Sequence, residues 1–188
     1  MEKLLLGLVI ALEIVASLSY IVSILKGVTK PHRVTRFVLL VVLALNFLSV
    51  VAANGNVGSL TLGGIFVAQS LIIFVLSIRR GMGGASLFDI TCLLVAIVGV
   101  IGWKLTNNPL VGIIFAIAAD QIAYLPAMVK TWKYPNTESP WFYILGAVAA
   151  AISLISYEIS MASAFQIFIV VNCLSMVLLI YRKQLGWK

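Results

Sequence analysis

Apolar residues run through this chain in seven long blocks, and lysine, arginine, proline, glycine and asparagine gather in the short stretches between them. The blocks cover 4–25, 36–53, 57–78, 87–103, 109–129, 141–157 and 161–181. A helix needs roughly 20 apolar residues to cross a hydrocarbon layer of about 30 Å, and each block is near that length. The pattern predicts an all-α membrane protein of seven transmembrane helices.

The blocks are not independent. Setting each position beside the one 104 further on aligns SLSYIVSILKGVTKPHRVTRF (17–37) with QIAYLPAMVKTWKYPNTESPW (121–141). Tyr20 falls on Tyr124, Lys26 on Lys130, Pro31 on Pro135 and Phe37 on Trp141. In each copy an apolar helix ends at a lysine, a basic loop with a central proline follows, and a second helix starts at an aromatic residue. Repeated halves are a common transporter plan, with the solute site between them. The expected organisation is a first three-helix repeat over 1–80, a linker helix over 81–108 and a second three-helix repeat over 109–188. Three is an odd number of crossings, so one extra helix is needed for both repeats to face the same way.

Composition agrees with this picture. Hydrophobic residues make up 62% of the 188 and charged residues 10%, with a mean hydropathy of +1.14, whereas soluble domains carry about a quarter charged residues. Almost nothing is left for a soluble domain. The net charge of +7 is explained by its distribution. With the amino terminus outside, all of the 13 basic residues except Lys3 and Lys104 fall on the inner side, as the positive-inside rule requires. Contact with anionic headgroups is therefore expected and nucleic acid is not. The opening segment could pass for a signal peptide, but its apolar run is too long, Glu13 interrupts it, and it is the first helix of the repeat. Cys92 and Cys173 fall inside spans and are expected to pack as small apolar residues.

Polar groups at mid-depth carry the candidate chemistry, because a charged side chain there costs about 2.5–3.5 kcal/mol and persists only facing protein or a cavity. Asp120, Gln69, Asn172 and Asn46 each lie 10 residues from the basic residue closing the inner end of their helix. That is about 15 Å at the helical rise, half the hydrocarbon thickness. Glu13 lies about one turn further out. Gln69 and Asn172 are also repeat partners, at an offset of 103. Gln69, Asn172 and Asn46 are thus candidate solute contacts, and Asp120 and Glu13 candidate proton-coupling groups. Each also has a purely structural reading as a hydrogen bond between helices. Tyr20 and Tyr124 could line the inner mouth or belong to an interfacial aromatic belt. Pro126 removes a backbone hydrogen bond inside the fifth helix and offers a hinge. His32 is expected in solvent, and Asp89 beside Arg79 and Arg80. The GMGG stretch is a poor phosphate loop, since it follows a helix rather than a strand. No metal spacing and no nucleophile–base pair is recognisable, so neither a cofactor nor an enzymatic activity is expected.

The segment YLPAMVKTWKYPNTES (124–139), its weaker copy YIVSILKGVTKPHRV (20–34) and the three-one-three plan resemble the PQ-loop/SWEET superfamily of seven-helix membrane proteins. Pro126 matches the superfamily's Pro-Gln pair, with Ala127 in the place of the glutamine. The span from Asp120 to Pro126 is similar to a D-x(5)-P element of a bacterial branch. The resemblance implies a bacterial cytoplasmic membrane. It implies an asparagine-type solute contact at Asn172, with Gln69 in the other repeat, and a coupling aspartate at Asp120. The resulting expectation is an alternating-access carrier of a small polar solute, with or without proton coupling, in the bilayer and compatible with a homo-oligomer. The alternative is a non-transporting receptor or sensor with a midplane ligand pocket.

Overall fold

The computed structural model describes residues 2–52, 57–84, 86–105, 109–156 and 163–186. Over these residues the chain is all-helical. The helices are α1 (Glu2–Leu25), α2 (Arg33–Ala52), α3 (Val57–Arg80), α4 (Leu87–Leu105), α5 (Pro109–Lys133), α6 (Pro140–Ser156) and α7 (Ser163–Tyr181), with a short 3-10 turn at Pro135–Thr137.

Local chemistry sets the helix ends near the basic loops. Gly27 closes α1 at φ 76°. Its N–H bonds the carbonyl of Ile24, and the next N–H, on Val28, bonds Ser23, which together form a Schellman cap. α4 opens with a capping box: the Asp89 N–H bonds Ser86 Oγ (3.1 Å), and Asp89 Oδ2 accepts from the Ser86 N–H (3.3 Å). α6 starts at Pro140, where the missing N–H has no helical partner to lose. Pro126 is buried within a single unbroken α5 that runs four residues past the expected end, to Lys133.

Two stretches, Leu4–Leu25 and Leu60–Arg80, are long and apolar enough to cross a membrane. Only 28% and 17% of their positions are buried within the protein, unlike the core helix of a soluble protein. Pro140–Leu154 and Ile167–Tyr181 are apolar but shorter. Large aliphatic side chains stand exposed along the helices, among them Leu18, Val75, Val98 and Leu174. Such an exterior is unfavourable in water at roughly 25 cal/mol per Å² and neutral in lipid.

Among the described residues, the backbones of α1 and α2 do not pack on each other, although the Tyr20 and Arg36 side chains meet; α3 packs against both helices. Likewise α5 and α6 do not touch, and α7 packs against both. The two triads meet through α1 on α6 and α2 on α5. Exchanging α1, α2 and α3 for α5, α6 and α7 maps this set of contacts onto itself. α4 stands outside the scheme, packed on α5 and α2. The main core lies where the triads meet, around Tyr20, Ile24, Ile73, Tyr143 and Met176.

Candidate functional site

Two groups of buried polar side chains occupy the interior. The first lies midway along the helices. On α1 and α3, the Glu13 carboxyl lies within interaction range of the Gln69 carboxamide, Ser17 Oγ contacts Gln69 Oε1, and the same hydroxyl donates to the Glu13 carbonyl at 2.7 Å. On α5 and α7, Asn172 Nδ2 donates to Asp120 Oδ2 at 3.4 Å. Each triad therefore holds one carboxyl–carboxamide contact, on its first and third helices. The carboxyls are not repeat partners in sequence, since position 104 after Glu13 is Ile117, one turn before Asp120. Cys173, beside Asn172, lies within electrostatic reach of both Glu13 and Asp120. Of the residues expected to meet at mid-depth, Asp120 and Asn172 touch, whereas Gln69 turns to Glu13. The side chain of Asn46 lies outside the described residues.

The second group closes the end of the bundle that carries the basic loops. Glu138, from the loop after the 3-10 turn, accepts from Tyr20 (2.8 Å) and Tyr143 (3.1 Å) on Oε2 and from Lys130 (2.5 Å) on Oε1. Arg36 Nη2 donates to both tyrosine hydroxyls, at 2.7 Å and 3.3 Å. Its guanidinium lies over the rings of Tyr20 and Phe142. Lys130 also donates to the carbonyls of Lys30 and Thr137. Arg36, Lys130 and Glu138 are all more than nine-tenths buried. Such charges remain in an interior only when paired and hydrogen-bonded. The network joins α1 and α2 to α5 and α6, so it spans both triads. Tyr20 is thus engaged in this closure and does not face an open mouth. Tyr124 lies within electrostatic reach of Asp120 on one side and of Arg36 and Glu138 on the other, between the two groups.

Sequence reasoning used Arg36 only as a depth marker and passed over Glu138. The signal was present: Glu138 is the one acidic residue in the basic loop between the fifth and sixth helices. His32 and Asp89 also differ from expectation. His32 is buried, caps α2 through Nδ1 toward Thr35, and places Nε2 3.3 Å from Asp89 Oδ1. Burial holds its imidazole below the usual histidine value, against the pull of the Asp89 carboxylate. Asp89 thus pairs with His32 and the α4 cap, while Arg80 instead bonds the Ile24 and Leu25 carbonyls at the end of α1. Arg182 plays the matching part in the other triad, donating to the Trp132 carbonyl at the end of α5.

The two principal surface depressions, of about 260 and 400 Å³, lie beside Arg33 and Phe37 and beside Trp132 and Leu178. Neither is lined by the mid-length carboxyls. Comparison with protein-family models, with curated proteins and with solved structures returns no match for the chain.

Proposed function

We propose that the chain is a seven-helix membrane carrier for a small polar solute, working by alternating access. Its two three-helix units are 1–80 and 109–188, with α4 as the linker that restores their common orientation. The observation that carries this reading is the placement of a carboxyl–carboxamide contact on the first and third helices of each triad, half-buried at Glu13 and Gln69 and buried at Asp120 and Asn172. Two such contacts inside a bundle with an aliphatic exterior suit a polar cargo crossing lipid. The exchange symmetry of the helix contacts supports the same architecture, which is also the one the PQ-loop/SWEET resemblance implies. The amino terminus lies outside and the basic loops lie in the cytoplasm.

In this reading the Tyr20–Arg36–Glu138–Tyr143–Lys130 network is the closed cytoplasmic gate, and solute reaches Asp120 and Asn172 from the opposite side. Asp120 carries a coupling proton, Gln69 and Asn172 orient solute, and Pro126 lets α5 bend as the gate opens. A receptor or sensor is the second reading, favoured by the same closure, because a pocket open to one face needs no path to the other.

The test is a thermal-unfolding screen of purified protein against sugars, amino acids and nucleosides at two pH values. Counterflow in proteoliposomes then follows for each solute that stabilises. A carrier exchanges its solute across the bilayer, and Asp120→Asn abolishes pH-driven accumulation. A solute that stabilises the protein yet never crosses identifies a receptor.

A further inference from the structure

The two carboxyl–carboxamide contacts are not equivalent. The one on α1 and α3 is closed: Gln69 meets both Glu13 and Ser17, and the Ser17 hydroxyl continues to a main-chain carbonyl. The one on α5 and α7 is open. Asp120 receives only the long 3.4 Å contact from Asn172 Nδ2. The other end of that carboxamide, Asn172 Oδ1, is buried with no hydrogen-bond partner, in a residue only 2% exposed. Among the described residues, no cationic side chain forms an ion pair with Asp120, which is 6% exposed.

Among the described residues, the Asp120 carboxylate, met by one long contact, and the orphan carbonyl beside it make a pair of acceptors short of donors. Leaving them unmet is costly in an interior. Gln121 Nε2 is an unpartnered buried donor, but it is the next residue on α5 and lies about 100° around the helix from Asp120.

We propose that Asp120 and Asn172 take the protonated amine of a small organic cation, which displaces a proton from the same carboxylate; this rests on the carrier reading above. A primary ammonium brings a positive charge and three N–H donors with no acceptor of its own, the complement of this pair. A polyol hydroxyl can donate to this pair but brings no positive charge to offset the carboxylate. A carboxylate would meet a like charge. A metal ion of octahedral preference asks for about six oxygens, and this pair offers three at most. Because one carboxylate cannot hold the proton and pair with the ammonium together, solute entry releases one proton and proton entry releases the solute. The two movements become an obligatory exchange.

Ethanolamine, ethylene glycol and glycolate share a two-carbon frame and carry an ammonium, a second hydroxyl and a carboxylate. In thermal unfolding of the purified full chain, ethanolamine alone should raise the melting temperature. Its affinity should fall about tenfold per pH unit once acidification protonates the carboxylate, as competition by one proton requires. Asp120→Asn should abolish the stabilisation. If that variant does not fold, Asn172→Leu removes the orphan acceptor at similar volume and should do the same. Stabilisation by ethylene glycol or glycolate to the same extent, an ethanolamine effect independent of pH, or no shift with any probe would overturn the proposal. Counterflow of labelled ethanolamine separates the two readings. Binding that depends on Asp120 without flux keeps the ammonium site and removes the carrier, whereas flux of another solute without ethanolamine binding does the reverse.

Discussion

Glu138 ties several elements together, since its two oxygens meet Lys130, Tyr20 and Tyr143, and the tyrosines in turn meet Arg36. Removing its charge leaves two buried cations without a counter-charge. Glu138→Gln should therefore cost about 3–5 kcal/mol, the usual penalty for breaking a buried pair from one side. Thermal unfolding should show the double variant Glu138→Gln/Lys130→Met recovering part of that loss. His32 gives a second test at this scale. Its folded value is depressed, so the unfolded chain binds the proton more readily. The stability it contributes is present above about pH 6.5, the unfolded value, and is lost as pH falls through the depressed value. Unfolding temperature should drop on acidification below 6.5, and His32→Asn, which still caps α2, should flatten that response. Sequence could place Asp120 and Asn172 near one level, because counting along a helix measures depth. It could not show which partner each side chain chooses. Gln69 turning to Glu13 depends on rotation about α1 and α3, which spacing along one helix does not encode.

Among the elements, apolar length and the end signals foretold the helices, and the differences lie at the boundaries, where basic residues such as Arg33, Lys130 and Lys133 extend helices beyond the apolar blocks. The loop 81–84 was legible only as glycine-rich. Packing explains it: the backbone of Met82 pairs with Pro31 and Arg33, and Gly83, at φ 74°, lies so close to His32 that an added Cβ would sit 2.1 Å from Nε2. Gly83→Ala should cost more than about 1 kcal/mol, combining positive φ with the clash. Gly27→Ala meets open space and should cost less by the same thermal measurement. Lys183 is exposed at the same end and suits a topology probe. With the amino terminus outside, a cysteine at Asn56 should react with an impermeant maleimide on intact cells and one at Lys183 should not. The reverse labelling would invert the molecule.

At the scale of the whole molecule, each carboxyl–carboxamide contact lies inside one triad, while the basic-end network runs between triads. If the triads move as units, the first kind of contact travels with its unit and the second must break for the basic-loop end to open. The joint to watch is α1 on α6, where Tyr20 meets Glu138 and Tyr143. Tyr20→Phe removes the hydroxyl that receives from Arg36 and donates to Glu138, and keeps the ring on Phe142. Hydrogen bonds to charged groups contribute about 1.5–3 kcal/mol, so the closed state should lose roughly one to two powers of ten against the open one. Spin labels at Leu25 and Trp141, both exposed at the ends of α1 and α6, read the gap between triads. Labels at Leu25 and Ile78 read the distance within one. Pulsed electron resonance on the first pair should give one short distance in the parent and a second, longer population in Tyr20→Phe, with the Leu25–Ile78 distance unchanged. Widening of both pairs would mean that the triads do not move as rigid units. No change in either would mean that the network is a structural tie rather than a gate.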